Sequence, residues 1–243
     1  MAESEMVVRR LLAQPDRIHS VLVSPAKMET LADGLTQLAP SIPIYVASLE
    51  LLSAIAGFHV HRGVLATGFR PDPATLTVDA ALGHLKARKS LQLLLAEGLT
   101  NVDNMGMLFR NAAAFGIDGV ILDRSSCDPL YRKAIRVSVG HVLATPWAVV
   151  DDLAKTVAEL RTQWGMTILA AETGRDAVPI WDAVVTDRIG IVVGAEATGL
   201  RDATAAACTA ICEIPMAPGV PSLNVGTATA VMLYEILRRT HQE

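Results

Sequence analysis

The chain has 243 residues, of which 51% are hydrophobic, 19% charged and 4% aromatic, so aliphatic side chains must fill its core and a disordered chain is excluded. The net charge of −4 argues against a nucleic-acid binder that relies on bulk positive charge. No apolar run approaches the ~18–20 residues that span a bilayer. The start of the sequence lacks the apolar region of a signal peptide, so we expect a cytoplasmic protein.

The first 70 residues predict a small α/β unit. Helical spacing covers residues 6–12, 28–38 and 49–55, and β-rich runs cover residues 18–23, 44–47 and 63–69. Strands that alternate with helices favour a mostly parallel sheet. Two prolines at 71 and 73 predict an irregular linker over residues 71–85, and the chain therefore divides into domains at 1–70 and 86–243.

The second domain predicts strands that are apolar on both faces, which is typical of a parallel sheet covered by helices on both sides. These strands are predicted at residues 91–97, 119–123, 166–172, 189–195 and 210–216. Helices are predicted at residues 104–115, 151–164 and 222–239, and the last of these carries a single apolar stripe.

Three segments that follow strands are candidates for chemistry, because ligands of open α/β sheets lie beyond the carboxyl ends of the strands. Residues 101–116 include Asn104 and Arg110, residues 194–201 carry Glu196 between two glycines, and residues 217–230 contain Ser222 and Asn224. Each segment is also compatible with an ordinary helix cap or turn.

Several common sites are not supported by the sequence. There is no GxGxxG dinucleotide fingerprint after the first strand of the second domain, no phosphate-binding GxxxxGK[ST] and no GxSxG nucleophile turn. The six histidines and three cysteines form neither a zinc set nor a disulfide framework, so no metal is expected.

Together the three segments resemble the SpoU family of RNA ribose 2′-O-methyltransferases, in the SPOUT superfamily. The first motif reads NVDNMGMLFRNAAAFG and matches at Asn101, Asn104, Gly106, Arg110, Ala113, Phe115 and Gly116. The second matches at Gly194, Ala195, Glu196, Gly199 and Leu200, and the third at Ile214, Pro215, Met216, Ser222, Leu223, Asn224 and Val225. Asp103 departs from the pattern, because the family usually has glycine there.

The resemblance implies a parallel α/β sheet with a C-terminal trefoil knot, preceded by a small RNA-binding domain, and S-adenosylmethionine as the cofactor. By position in the motifs, the cofactor-binding residues are expected to be Gly194, Ile214, Leu223, Ala171, Thr173 and Met216. The catalytic residues are expected to be Arg110, Asn104, Glu196, Ser222 and Asn224.

In the family's reaction a methyl group passes to a ribose 2′-hydroxyl. Guanidinium groups stay charged at neutral pH and are poor bases, so we expect Arg110 to bind the target phosphate or polarise the hydroxyl. Glu196 is expected to orient Arg110 or to accept a hydrogen bond from the nucleotide. Ser222 and Asn224 would position the ribose or hold the knot loops.

The resemblance also implies a homodimer that acts on RNA, with large-subunit rRNA favoured over tRNA as the substrate. The alternative from another class is a catalytically impaired RNA-binding or ribosome-assembly factor, to which Asp103 gives some support. Local RNA contact by an acidic chain requires its basic residues to share one face. The candidates are Arg62, Arg70, Lys86, Arg88, Lys89, Arg132, Lys133 and Arg136.

Overall fold

The computed structural model describes residues 1–174, 176–195 and 198–240. The strands are β1 (Ala2–Glu3), β2 (Ile18–Val23), β3 (Ile44–Val46), β4 (Val64–Gly68), β5 (Leu91–Ala96), β6 (Gly119–Asp123), β7 (Trp147–Val150), β8 (Thr167–Ala171), β9 (Val178–Pro179), β10 (Arg188–Val193) and β11 (Ala210–Glu213). The helices are α1 (Glu5–Leu12), α2 (Pro25–Thr30), α3 (Ala32–Leu35), α4 (Leu49–Ala56), α5 (Val78–Leu82), α6 (Val102–Ala114), α7 (Arg132–Val137), α8 (His141–Ala144), α9 (Leu153–Gln163), α10 (Asp202–Ala207) and α11 (Val225–Thr240).

The larger sheet has seven strands in the order β7-β6-β5-β10-β8-β11-β9, and every neighbouring pair is parallel. Side chains alternate along each strand, so Leu94 and Val120 enter one core while Leu93 and Ile121 enter the other. Helices cover both faces. The predicted α/β class with a parallel sheet is confirmed, and all five strands predicted for this part are present.

The N-terminal sheet differs from its prediction. Its order is β1-β4-β2-β3, and only β2 and β3 are parallel, while β4 runs antiparallel to both β1 and β2. Val46 at the end of β3 and Val64 at the start of β4 both pair with Val23. The connection from β3 through α4 therefore starts and finishes beside the same end of β2. For this reason β4 must run antiparallel to β2. Strand and helix alternation alone does not reveal such a return.

The segment predicted as a linker is more ordered than its prolines suggest. Asp72 accepts a hydrogen bond from the backbone N–H of Ala74 at 2.9 Å, and Pro73 occupies the first position of a 3₁₀ turn, where proline is well tolerated. Helix α5 follows, and its Leu82 packs over Gly119 of β6, where a Cβ atom would lie 2.6 Å from the leucine. This segment therefore covers one face of the larger sheet.

Two predicted elements begin three residues away from their predicted starts, and the others begin within two residues of theirs. The helical pattern at 28–38 starts earlier, at Pro25, and is divided at Leu31 into α2 and α3. The last helix starts at Val225 rather than at 222, because the Asn224 side chain accepts from the N–H groups of Gly226 and Thr227 and so caps it. Within the described residues, no helix is both long and apolar enough to cross a membrane.

Side chains of α1 join the N-terminal unit to the larger one. Arg10 donates to the carbonyl oxygen of Val139 at 2.7 Å and to the ring of His141 at 2.9 Å, and Gln14 donates to the carbonyl of Leu143 at 2.5 Å. Since an arginine only donates, Nε2 of His141 is the acceptor. Apolar residues of α1 and of the larger sheet belong to one continuous core.

We predict that Leu82→Ala lowers the free energy of unfolding by about 2–5 kcal/mol, because it opens a cavity beneath α5. The matched substitution Leu51→Ala, at a leucine that is 52% exposed, should change it by less than about 0.5 kcal/mol. Urea unfolding of both variants measures the difference. Equal effects would show that α5 is not part of the core.

Candidate functional site

A cavity of 560 Å³ lies at the carboxyl ends of β8, β10 and β11, beside the start of α11. Its lining combines loop backbone, apolar side chains and three acidic residues. The lining residues are Ala171, Glu172, Thr173, Val193, Gly194, Ala195, Thr198, Gly199, Leu200, Asp202, Ala205, Ile211, Cys212, Glu213, Ile214, Met216, Ser222, Leu223, Val225, Ala228 and Met232.

All six residues expected at the cofactor line this cavity. Ala171 ends β8 and Gly194 directly follows β10, so both lie where parallel strands point their carboxyl ends. The remaining four lie on the loops beyond β8 and β11, and they are Thr173, Ile214, Met216 and Leu223. Separate stretches of sequence are thus brought to one place.

The loop after β10 turns back on itself so closely that two of its positions have no room for a side chain. A Cβ atom on Gly194 would lie 2.4 Å from the backbone carbon of Gly199. A Cβ on Gly199, whose φ is +66°, would lie 2.2 Å from a carboxylate oxygen of Glu172. That carboxylate accepts from the N–H of Leu200 at 3.0 Å and so fixes the turn. Backbone, rather than side chains, forms this wall.

A second carboxylate holds the same loop from the other side. Glu97, only 3% exposed, follows β5 and accepts from the Arg201 backbone N–H at 2.8 Å, the Arg201 Nε at 2.7 Å and the Thr204 hydroxyl at 2.6 Å. The hydrogen bond and charge of Glu97 raise the pKa of Arg201. Burying a carboxylate is costly unless donors surround it, and here three donors do.

A third carboxylate organises the loop after β6. Asp123 accepts from the backbone N–H of Gly98 at 2.8 Å and from the Ser126 hydroxyl at 2.6 Å, and Ser125 also donates to it. Burial opposes its ionisation, but the hydrogen bonds from Ser125, Ser126 and Gly98 outweigh burial and lower the pKa of Asp123.

Sequence reasoning missed the roles of these three carboxylates. A signal was present, since Glu97, Asp123 and Glu172 each end or directly follow an apolar strand. A lone acid at that position is also what an exposed loop contains, so its partners become apparent only in the fold.

Helix α6, which carries the first motif, packs against the start of α11. Asn101 caps α6 by accepting from the N–H of Asp103 at 2.8 Å. Asn104 is buried and accepts from the Asn224 side-chain amide at 2.9 Å, while Asn111 donates to the carbonyl of Gly226 at 2.7 Å. The first and third motifs therefore meet, and Asn224 both caps α11 and contacts Asn104.

Within one chain, the residues expected to be catalytic do not all lie at the cavity. Ser222 lines the cavity, whereas Asn104, Arg110 and Asn224 do not. Arg110 is exposed on α6, near His141, whose pKa is lowered by burial and by the charges of Arg10 and Arg110. Glu196 lies outside the described residues.

Asp103, the departure from the first motif, forms an ion pair with Lys133 at 2.6 Å. It also lies in the first turn of α6, where a negative charge is favoured by the helix dipole. A carboxylate is therefore accommodated at this position and its charge is offset.

Of the eight basic residues expected on one face, six are divided between two opposite edges of the larger sheet, while Arg62 and Arg70 belong to the N-terminal unit and the segment that follows it. Lys86, Arg88 and Lys89 precede β5 and so lie at the amino edge, opposite the cavity. Arg132, Lys133 and Arg136 belong to α7, which begins beyond the carboxyl end of β6. In a parallel sheet, residues that precede the strands lie at one edge, and residues that follow the strands lie at the opposite edge.

Within the described residues, no group of three or more His, Cys, Asp or Glu side chains is placed to hold a metal ion. Cys212 lies in the cavity wall, and burial raises the pKa of its thiol to about 11. Burial likewise raises the pKa of Cys208 to about 12. Both thiols are protonated at neutral pH and are poor nucleophiles.

The profile of the SpoU rRNA Methylase family matches residues 92–234, which include all three motifs. The chain belongs to this family. It is therefore a methyltransferase, and the family predicted from the motifs is confirmed.

Two relatives match nearly the whole chain. An uncharacterized tRNA/rRNA methyltransferase of Mycobacterium tuberculosis is 34% identical over 99% of this chain and 81% of that protein. The 23S rRNA (guanosine-2′-O-)-methyltransferase RlmB of Haemophilus ducreyi is 34% identical over 93% of this chain and 91% of that protein.

Solved structures share the fold at lower identity. The SpoU methyltransferase AviRb of Streptomyces viridochromogenes, in complex with AdoMet, is 19% identical with a TM-score of 0.82, covering 99% of this chain and 90% of that one. A putative RNA methyltransferase of the TrmH family from Porphyromonas gingivalis is 22% identical with a TM-score of 0.76, covering 98% and 89%. Both support the α/β architecture described above.

We predict that Gly199→Ala destabilises the fold by clearly more than Gly165→Ala. Both glycines have positive φ, +66° and +63°, so both alanines incur the left-handed backbone cost of about 1–2 kcal/mol. A Cβ on Gly165 meets nothing within 4 Å, whereas a Cβ on Gly199 collides with Glu172. Urea unfolding compares the two variants, and equal losses would refute the close approach at the cavity wall.

Proposed function

We propose that this protein transfers the methyl group of S-adenosylmethionine to a ribose 2′-hydroxyl of RNA, acting in the cytoplasm on large-subunit rRNA. The observation that carries the proposal is the cavity beyond β8, β10 and β11, which gathers all six residues that the family resemblance assigns to the cofactor. Membership of the SpoU family supports the reaction class.

The cavity fits this cofactor in size and chemistry. Its 560 Å³ lies within the usual range of about 300–1,000 Å³ for small-molecule sites. Ile214, Met216 and Leu223 offer an apolar slot for an adenine ring, and the close turn at Gly194 leaves backbone accessible to it. Asp202 and Glu213 are among the lining residues, and their carboxylates suit a ligand that carries positive charge.

When bound, S-adenosylmethionine supplies an electrophilic methyl group, so the protein must align the hydroxyl with it and assist loss of the hydroxyl proton. We assign to Arg110 the binding of the target phosphate or the polarisation of the hydroxyl. Asn104 and Asn224 hold α6 and α11 in register through their mutual hydrogen bond. Ser222, at the cavity, positions the ribose, and Glu196 orients Arg110 or contacts the nucleotide.

The site is proposed to be completed in a homodimer. Arg110 is not among the residues that line the cavity of its own chain, and we propose that a second subunit brings its arginine to it. The outer side of α11 exposes Val231 and Tyr234, a hydrophobic surface that suits a subunit interface. The segment from β10 through α11 is proposed to form the trefoil knot.

The choice of rRNA over tRNA follows the relatives at about one-third identity, of which several are named 23S rRNA methyltransferases. The alternative function, a catalytically impaired RNA-binding or ribosome-assembly factor, is supported by Asp103 in the first motif. Its ion pair with Lys133 removes the reason to expect that it repels RNA.

We predict that Arg110→Ala lowers the rate of methyl transfer by about 100-fold or more, because the alanine neither binds phosphate nor polarises the hydroxyl. The assay supplies radiolabelled S-adenosylmethionine with unmodified large-subunit rRNA or with tRNA. Arg161→Ala is the matched control, since Arg161 lies at the far end of α9 and donates to the carbonyl of Ala207. Label in tRNA alone would refute the rRNA assignment, and an active Arg110→Ala variant would refute the role of the arginine.

A mixture of subunits tests whether the site is shared. Arg110→Ala keeps an intact cavity, and Leu223→Asp keeps its arginine, so a mixed dimer restores one complete site only if the arginine acts across the interface. Random 1:1 mixing makes half of the dimers mixed, and one of the two sites in each mixed dimer is complete. The mixture would then recover about a quarter of wild-type activity. Gel filtration must show each variant at twice the chain mass of 25.8 kDa. Monomers, or no recovery from intact dimers, would contradict a shared site.

A further inference from the structure

We propose that the RNA reaches the site along one surface that crosses both structural units, formed by the loop 57–62 of the N-terminal unit and the outer face of α7, and ending at Arg110. We call this surface the basic track, and its cations are Arg62, Arg110, Arg132, Lys133 and Arg136. The inference rests on the proposed RNA substrate and extends it to a defined path on this chain.

The first observation is which arginines have no partner. Among the described residues, only Arg62, Arg110 and Arg136 make no side-chain hydrogen bond or ion pair, and all three are exposed. Every other described arginine is bonded to a carboxylate, a carbonyl oxygen or another side chain. Examples are Arg9 with Asp33, Arg161 with the carbonyl of Ala207, and Arg201 with Glu97. With no partner among the described residues, these three guanidinium groups are available for an anionic ligand.

The packing of α6 on α7 brings two of these arginines to one side. Lys133 pairs with Asp103 at the start of α6, and a Cβ on Gly106 would lie 2.6 Å from Val137. The two helices therefore run side by side in close contact. Arg136 lies one turn beyond Lys133 on α7, and Arg110 lies one turn beyond Gly106 on α6, so both continue the side that Lys133 begins.

Arg132 joins α7 to the N-terminal unit. Its guanidinium lies over the ring of Phe58 at 3.8 Å, and it donates to the carboxylate of Glu3 at 2.8 Å. Phe58 belongs to the loop that connects α4 to β4 and that also carries Arg62. A cation on an aromatic face is a favourable contact, and it makes the surface continuous across the junction.

The junction holds the two parts of the track in fixed relation. Arg10 of α1 donates to Val139, whose φ of +54° is unusual for a β-branched residue, and to His141 of α8. Gly140 between them packs on Val7, where a Cβ would lie 3.1 Å from the Val7 Cα. An RNA that binds both units thus meets a preformed surface, which reduces the ordering cost of binding.

The groups beside the cations suit RNA rather than an acidic protein. His59 and His61 are exposed and stacked on each other at 4.1 Å, and Tyr131 at the start of α7 is 58% exposed. Unpaired RNA bases stack on such rings, while arginines bind the phosphates between them. Two carboxylates beside the track, Glu3 and Asp103, are each paired with a track cation, Arg132 and Lys133 respectively.

The test measures binding of the full-length protein to a large-subunit rRNA transcript at several salt concentrations. The double variant Arg62→Gln/Arg136→Gln should bind at least about tenfold more weakly in low salt, and its slope of log affinity against log salt should fall by roughly 1.4–1.8, since each lost phosphate contact removes about 0.7–0.9. Lys89→Gln, which removes an exposed cation at the opposite edge of the sheet, should leave the slope and the affinity unchanged.

The affinity for S-adenosylmethionine, measured by calorimetry, should be the same in the wild type and in all these variants, which shows that the fold is intact. Wild-type affinity and slope in the double variant would overturn the track, even if the wild type methylates rRNA. A wild type that binds the transcript through the track but transfers no methyl group would instead contradict the proposed function. A wild type that does not bind the transcript overturns both.

Discussion

The candidate site depends on two carboxylates that hold one loop from opposite sides. Glu97 follows β5 and Glu172 follows β8, the two neighbours of β10, and each accepts a backbone N–H from the loop that leaves β10. The loop turns so tightly that Gly194 and Gly199 touch through their backbones. Because side chains are excluded there, the cavity wall is backbone, which can recognise a neutral ring without a charged group. The strands on either side fix the carboxylates, so the sheet itself positions the cavity.

Much of this arrangement was predictable, for a physical reason. Residues 119–122 and 189–193 are apolar at every position, and only a sheet covered on both faces buries such strands. Once the sheet is parallel, the segments after its strands must meet at one edge, and the motifs lie in those segments. The six residues assigned to the cofactor come together for this reason.

Other features depend on tertiary context that a local pattern does not contain. The direction of β4 depends on the connection from β3 through α4, which starts and finishes beside the same end of β2. The prolines at 71 and 73 predict an irregular segment, yet one of them starts a 3₁₀ turn that leads into α5. Glu97, Asp123 and Glu172 resemble ordinary loop acids until their donors are known. The position of Arg110 outside the cavity of its own chain likewise has no signature in the motif that carries it.

An acidic chain is compatible with an RNA substrate because its carboxylates and its arginines differ in their internal partners. Most carboxylates near the site are bound to internal donors, as Glu97 and Asp123 are, and contribute to the fold. Three arginines have no internal partner among the described residues and remain available at the surface. Net charge is therefore a poor guide to the local field beside Arg110, while the distribution of partners is informative.

Nucleoside mass spectrometry of the reacted rRNA shows whether the methyl group is transferred to a ribose oxygen. After digestion, we expect one 2′-O-methylated nucleoside that requires both the wild-type protein and S-adenosylmethionine, and whose phosphodiester resists alkaline cleavage. A methyl group on a base would refute transfer to the ribose, and so would the absence of any methylated nucleoside from both rRNA and its assembly intermediates.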